Sequence, residues 1–263
     1  YISSSAHNKY LERRKNSSCS SKYNDVLSNL ISEKLHENWS PEQISNALLN
    51  GKLSFKTIYN WIYIGKLKGI SFKNLRHKGK RRKKETRGKF LIGNSITTRP
   101  KDVKSRKTFG HWELDTIVSS RGKAKACLAT FVERKTRFYV AIKIKDRTAP
   151  SMLKAIKKLV KVLPKKALKT FTTDRGKEFA CYKEVEKLNI KVYFADAYAA
   201  WQRGSNENSN GLLREYYPKK TDLGKISNDD LIEKLILLNS RPRKCLNWDN
   251  PFNLFLKEVS HLD

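Results

Sequence analysis

The sequence predicts a mixed α/β protein, with a sheet flanked by helices on its faces and a small all-α helix-turn-helix domain ahead of it. Three observations predict this. From Thr108 onward three strand-like runs follow one another, and helical and strand periods then alternate. Between Asn24 and Ile62 apolar residues recur at helical spacing, broken by turn residues. A Lys- and Arg-rich stretch with almost no apolar residue separates the two regions. The chain has 263 residues, enough for one substantial core and a smaller domain. Its 38% hydrophobic content, with 11 Phe, 11 Tyr and 5 Trp, is that of a folded chain.

Residues 1–22 read as a basic N-terminal arm, polar and carrying Arg13, Arg14 and Lys15. The domain at 23–75 opens with a helix whose Val26, Leu27, Leu30, Ile31 and Leu35 share a face. Ser40 before Pro41-Glu42-Gln43 starts a second helix, and Asn50-Gly51 ends it. Ser54 caps a third, in which Phe55, Ile58, Tyr59 and Ile62 are expected inward. Two helices joined by a short Gly-containing turn match helix-turn-helix geometry, with Lys56, Thr57 and Asn60 on the exposed side where base edges are read. A plain three-helix bundle with a solvated face fits the same spacing. Residues 76–104 are expected to be a basic linker. Its 76–89 part holds nine Lys or Arg, and Arg81, Arg82 and Lys83 at its centre would track phosphates.

The domain at 105–263 begins with three successive strands, His111–Val118, Ala124–Glu133 and Phe138–Lys145. A helix over 149–163 ends at Pro164. A buried strand, Leu168–Thr173, a helix from Gly176 to Leu188 and a strand, Ile190–Phe194, come next. Helices over 203–216 and 228–238 close the pattern. Three strands, then alternating helix and strand, is the order of a ribonuclease H-like mixed sheet.

Lys and Arg number 56 against 25 acids, a net charge of +31, which favours phosphate-bearing partners and salt-dependent binding. The four cysteines are far apart and read as reduced thiols of a cytoplasmic protein. No apolar run is long enough to span a membrane, and no secretory signal is visible. The chain begins at Tyr1 rather than Met, so a further upstream segment is expected.

Against this basic background three acids stand out. Asp115 lies inside the first strand and Asp174 ends the fourth, and the first and fourth strands of such a sheet are usually central neighbours. Glu207 follows Asp174 by 33 positions, on a helix face shared with Arg203, Asn206, Asn210 and Arg214. Carboxylates converging in a chain this positive suggest hard cations, Mg²⁺ above all, held beside a polyanion. Two further acids are rivals. Glu113 shares a strand face with Asp115 and is expected to pair with a surface Lys. Glu178 is expected to complement a helix dipole.

Several motifs in this order carry a family resemblance: Trp39-Ser-Pro-Glu-Gln-Ile44, Gly110-His-Trp-Glu113 with Asp115, Thr173-Asp-Arg-Gly-Lys-Glu-Phe-Ala180 and Arg203-Gly-Ser-Asn-Glu-Asn-Ser-Asn-Gly211. Over Trp39 to Phe255 the chain resembles DDE transposases of the insertion-sequence-30 family. The resemblance implies a metal-binding catalytic triad of Asp115, Asp174 and Glu207, with Mg²⁺ as cofactor and Mn²⁺ as its substitute. It implies DNA contacts by Arg203 and Arg214, and cleavage and strand transfer of insertion-sequence ends into target DNA. The implied partners are double-stranded DNA and further copies of the chain, as a homodimer or larger multimer, in a bacterial cytoplasm at the nucleoid. A DNA-binding remnant or repressor on the same fold, catalytically silent, is the alternative.

Overall fold

The computed structural model describes residues 3–16, 22–76, 93–120, 124–196 and 199–262, divided after Gly79 into two compact units. Within the stretch expected as an arm, Ser3–Asn16 forms helix α1, with almost all its described side chains exposed. Helix α2 (Asp25–His36) starts where the Asn24 side chain accepts the Leu27 N–H at 2.8 Å. Helix α3 (Pro41–Gln43) is opened by a reciprocal cap between Ser40 and Gln43 and runs on as a π-helical turn, Ile44–Leu48. The Ser45 hydroxyl donates to the Leu53 carbonyl at 2.6 Å and ties that turn across the Asn50-Gly51 reversal. Helix α4 (Phe55–Tyr63) packs Ile58, Trp61 and Ile62 against Ile31, Leu35 and Ile44. Trp61 rather than Phe55 or Tyr59 supplies the buried aromatic; those two are half-buried and meet each other edge to face.

In the second unit the residues expected as the end of the linker are folded. Strand β1 (Asn94–Ser95) and helix α5 (Lys101–Ser105) lie there, and β1 adds a parallel edge to the sheet. The principal strands are β2 (His111–Val118), β3 (Cys127–Glu133), β4 (Tyr139–Ile144), β5 (Thr170–Thr173) and β6 (Lys191–Phe194). Their order is β1-β6-β5-β2-β3-β4. β3 runs antiparallel to β2 and β4, whereas β5 is parallel to β2 and β6. This is the ribonuclease H-like arrangement, with β2 at the centre. Gly110, at φ +97°, lets β2 begin against the 165–169 segment, since a Cβ there would stand 3.2 Å from the Lys166 carbonyl oxygen.

Helices α6 (Ala149–Val162) and α7 (Tyr182–Glu186) serve one sheet face, and α8 (Gly204–Tyr216) and α9 (Asn228–Asn239) the other. Helix α10 (Pro251–Ser260), which the sequence patterning did not reveal, sets Phe255 against Phe109, Trp112 and Phe138. Alternation along β2 explains the two layers. Trp112 and Leu114 join Phe131, Met152, Ile156 and Phe171 on the α6 side. Ile117 joins Leu128, Val132, Leu212 and Leu213 on the α8 side. Each large apolar side chain buried in this way contributes roughly 1.5–3 kcal/mol. Glu113 and Asp115 fall on the α8 side with Ile117, so the same alternation that builds the core directs two carboxylates into the sheet–α8 interface. Among the described residues no helix is long and apolar enough to cross a membrane.

Candidate functional site

Strand register brings the first two acids together. In the parallel pairing of β2 with β5, Glu113 stands beside Thr172. Two residues further on the same register sets Asp115 beside Asp174, on the same face, where β5 ends. The carboxyl ends of parallel strands are where open α/β sheets bind ligands. Asp115 is half-buried beneath α8, and Asn210 donates to its Oδ2 at 3.1 Å.

Arg203, just before α8, joins the two acids. Its guanidinium lies 3.4 Å from Asp115 Oδ2 and 3.3 Å from Asp174 Oδ2. Burial raises the Asp115 carboxyl above its ordinary pKa. Arg203 opposes that rise, while Asp174 and Glu178 add to it. Two neighbouring carboxylates under partial burial call for a cation, and here the guanidinium supplies the charge. The donor set, hard carboxylate oxygens with an amide beside them, suits Mg²⁺.

A buried polar layer aligns α8 with the sheet. Asn206, fully buried, donates its backbone N–H to the Glu113 carboxylate at 2.9 Å and its side-chain amide to the Glu113 carbonyl at 2.8 Å. Thr130, opposite Asp115 on β3, donates to the Asp115 carbonyl at 3.1 Å. The Tyr139 hydroxyl donates to Asn210 Oδ1 at 2.8 Å. Asn206 and Asn210, one turn apart, thus clamp α8 over β2 and β3.

Two expectations are corrected. Glu113 does not face a surface Lys. It is fully buried and pairs with Arg134, itself 4% exposed, because β2 is central and covered on both faces. Glu178 keeps the first-turn place expected of it, but it is fully buried and its carboxylate has side-chain partners of its own. The expected helix over 176–188 starts as a tighter 3-10 turn, Lys177–Cys181, and Glu178 turns inward from it. Its Oε1 accepts from Thr116 at 3.0 Å and from Arg147 at 2.7 Å, and its buried Oε2 has no hydrogen-bond partner. A Cβ on Gly176 would meet Glu178 Oε2 at 2.6 Å and Asp174 Oδ1 at 2.9 Å, so any side chain there would have to displace one of the two carboxylates. Arg147 carried no signal in the sequence that marked it as part of this cluster.

Asp115, Asp174 and Arg203 are therefore assembled. Glu207 lies in the first turn of α8 and is exposed. Among the described residues no three carboxylate, imidazole or thiol side chains stand together as a metal-binding group. The Arg214 guanidinium donates to the Val118 carbonyl at 2.7 Å and to the carbonyls of Tyr217 and Pro218, tying α8 to the end of β2. In the first unit Lys56 and Asn60 are exposed and Thr57 half-buried on α4. Arg81, Arg82 and Lys83 lie outside the described residues.

This strand order, with one aspartate inside the central strand and the other just past the end of its parallel neighbour, defines an integrase-type core, and the integrase core domain family matches residues 105–200. The chain is similar to the transposase InsI of insertion sequence element IS30A from Escherichia coli, 34% identical over 90% of this chain and 66% of that protein. It is similar to the transposase of insertion sequence element IS1086 from Cupriavidus metallidurans, 35% identical over 90% of this chain and 74% of that protein. The transposase of IS4351 from Bacteroides fragilis is 37% identical over 88% of this chain and 73% of its own length. The chain belongs to the IS30 family of transposases, and it spans 66% of the length of its Escherichia coli relative.

Proposed function

We propose that this chain cleaves the DNA ends of an insertion element and transfers them to target DNA, with Asp115, Asp174 and Glu207 as its metal-binding catalytic residues. The observation that carries the reading is the β2–β5 register, which sets Asp115, inside β2, beside Asp174, just past the end of β5. Glu207 rests on the family motif around it and on its place on α8, one residue after the buried Asn206 anchor. Mg²⁺, or Mn²⁺ in its place, would be held by these carboxylates and would supply an activated water or 3′-hydroxyl and charge relief at phosphorus.

The chain's own groups do the rest. Asn210 and the Thr130 hydroxyl orient Asp115. Glu178, between Thr116 and Arg147, supports the turn that carries Asp174. Arg203 brings a planar guanidinium to the carboxylate pair and would meet a substrate phosphate through it. Lys56, Thr57 and Asn60 on α4 are the proposed base-reading positions, and Arg81, Arg82 and Lys83 the phosphate-tracking ones. The net charge of +31 supports a double-stranded DNA partner, and joining two ends at once calls for at least two copies of the chain.

The test is a strand-cleavage assay on labelled element ends in Mg²⁺, comparing the native chain with Asp115→Asn, Asp174→Asn and Glu207→Gln. Each variant is expected to lose activity by on the order of 100-fold or more, since a ligand carboxylate is replaced by a neutral group. Native-level cleavage by Asp174→Asn would end the proposal. Native-level cleavage by Glu207→Gln alone would remove that residue from the triad.

A further inference from the structure

Of the five tryptophans in the chain, Trp112 and Trp61 are buried and Trp39 and Trp248 half-buried, whereas Trp201 is 76% exposed. Indole is among the largest apolar surfaces a protein carries, and leaving it in water forfeits the burial that normally retains it. Gln202, the next residue, is tied back to Asp196 and Ala199. The Asp196 N–H donates to Gln202 Oε1 at 2.8 Å, and Gln202 Nε2 donates back to Asp196 Oδ2 at 2.8 Å. The Gln202 N–H closes the 3-10 turn on the Ala199 carbonyl at 3.0 Å. Trp201 is the residue before this clasp closes, and Arg203, the residue after it, reaches both aspartates. An exposed indole therefore stands two residues before the arginine that bridges the carboxylate pair, in a chain of net charge +31.

We propose that Trp201 is a stacking platform for an unpaired nucleobase, seated next to the phosphodiester that the carboxylates and Arg203 engage. The chemistry required of the ligand is a flat π face joined to a phosphate, and an unstacked nucleotide provides both. A paired base inside a duplex offers no free face, so the site selects a DNA end whose terminal pairs have opened. Stacking of this kind tolerates any base, so it positions the strand without reading its sequence. This inference rests on the DNA-cleaving reading above and adds to it the form in which the strand arrives.

The test uses the full chain and a short duplex carrying 2-aminopurine near one end, either fully paired or in a non-complementary single-stranded overhang. The native chain should quench the unpaired 2-aminopurine on binding. Trp201→Ala should bind the open-ended duplex about 10-fold more weakly and lose the quenching, since one base–aromatic stack is removed. Trp201→Phe should keep most of both, and the fully paired duplex should be bound equally by native and Ala variants. Equal binding and quenching of the open-ended duplex by Trp201→Ala would overturn the proposal. So would an equal loss on both duplexes, or a change in sedimentation that shows Trp201 covering a second copy. If cleavage still depends on Asp174 while Trp201→Ala changes nothing, the stacking site fails and the catalytic reading survives.

Discussion

Removing the positive charge between the two aspartates should destabilise the second unit, and a divalent cation should restore it. Arg203→Gln takes away a guanidinium 3.4 Å from Asp115 and 3.3 Å from Asp174. At these separations and an effective dielectric of about 20, each pair attracts by about 5 kcal/mol before desolvation and the repulsion between the aspartates are subtracted. Removing one partner of a fully buried pair costs about 3–5 kcal/mol, and of an exposed pair about 0–1. The side chains here are 15%, 25% and 34% exposed, between those limits. A loss of about 2–3 kcal/mol follows, which in a domain of this size lowers Tm by roughly 5–10 °C. Thermal unfolding at low salt measures it. Arg203→Lys, which keeps the charge without the fork, should fall between the native chain and Arg203→Gln. Mg²⁺ should raise the Tm of Arg203→Gln more than that of the native chain, because a bound cation then supplies the missing charge. A double-mutant cycle with Asp174→Asn should show coupling above about 1 kcal/mol. Unchanged Tm in Arg203→Gln, or strict additivity with Asp174→Asn, would refute the electrostatic account.

The buried Glu113–Arg134 pair offers a second check. Arg134→Met should cost about 3–5 kcal/mol by stranding the Glu113 carboxylate, and Glu113→Leu with Arg134→Met should recover most of it. Urea titrations of the two variants read this, and a double variant no more stable than Arg134→Met would sink it. His111 offers a check on pH dependence. Burial, with Lys169 and Arg134 nearby, lowers its pKa from 6.5 to about 4, and its Nδ1 lies 2.8 Å from the Thr170 hydroxyl. The unfolded chain then takes up a proton that the folded chain refuses, so stability is complete above pH 6.5 and falls as pH drops towards 4. The loss reaches about 3 kcal/mol. Glu133, whose carboxyl is raised by burial, works in the opposite sense, so the quantity to measure is the native curve minus that of His111→Asn. That difference should grow on acidification, and a flat difference would remove His111 as a source of acid sensitivity.

How much of this was legible in the sequence depends on the range over which each feature is encoded. The alternation in Trp112-Glu-Leu-Asp-Thr-Ile117 wrote β2 and its two faces directly, because a two-residue period is a local property. Caps were equally local. Ser40, Ser54, Thr148 and Ser227 each accept a backbone N–H at a helix start. The chain order of strands and helices followed from these patterns, and with it the ribonuclease H-like topology and the candidacy of Asp115 and Asp174.

The tertiary structure decided what those residues touch. Nothing periodic marks Arg134 as the partner of Glu113, 21 positions away, or Arg147 as the partner of Glu178, 31 positions away. A charge pattern along the chain cannot tell a solvated acid from one at the centre of a sheet. That distinction belongs to which strand lies in the middle and which helices cover it. The same holds for the edge strand at Asn94–Ser95, hidden in a stretch that reads as linker because its two residues gain order only by pairing with β6. Arg203, read from its motif as a contact for DNA, stands between the two aspartates, a position set by the packing of Asn206 and Asn210 over β2 and β3. Local periods specify which face of each element is buried, and only the closure of distant segments into one packed core specifies which buried charge meets which.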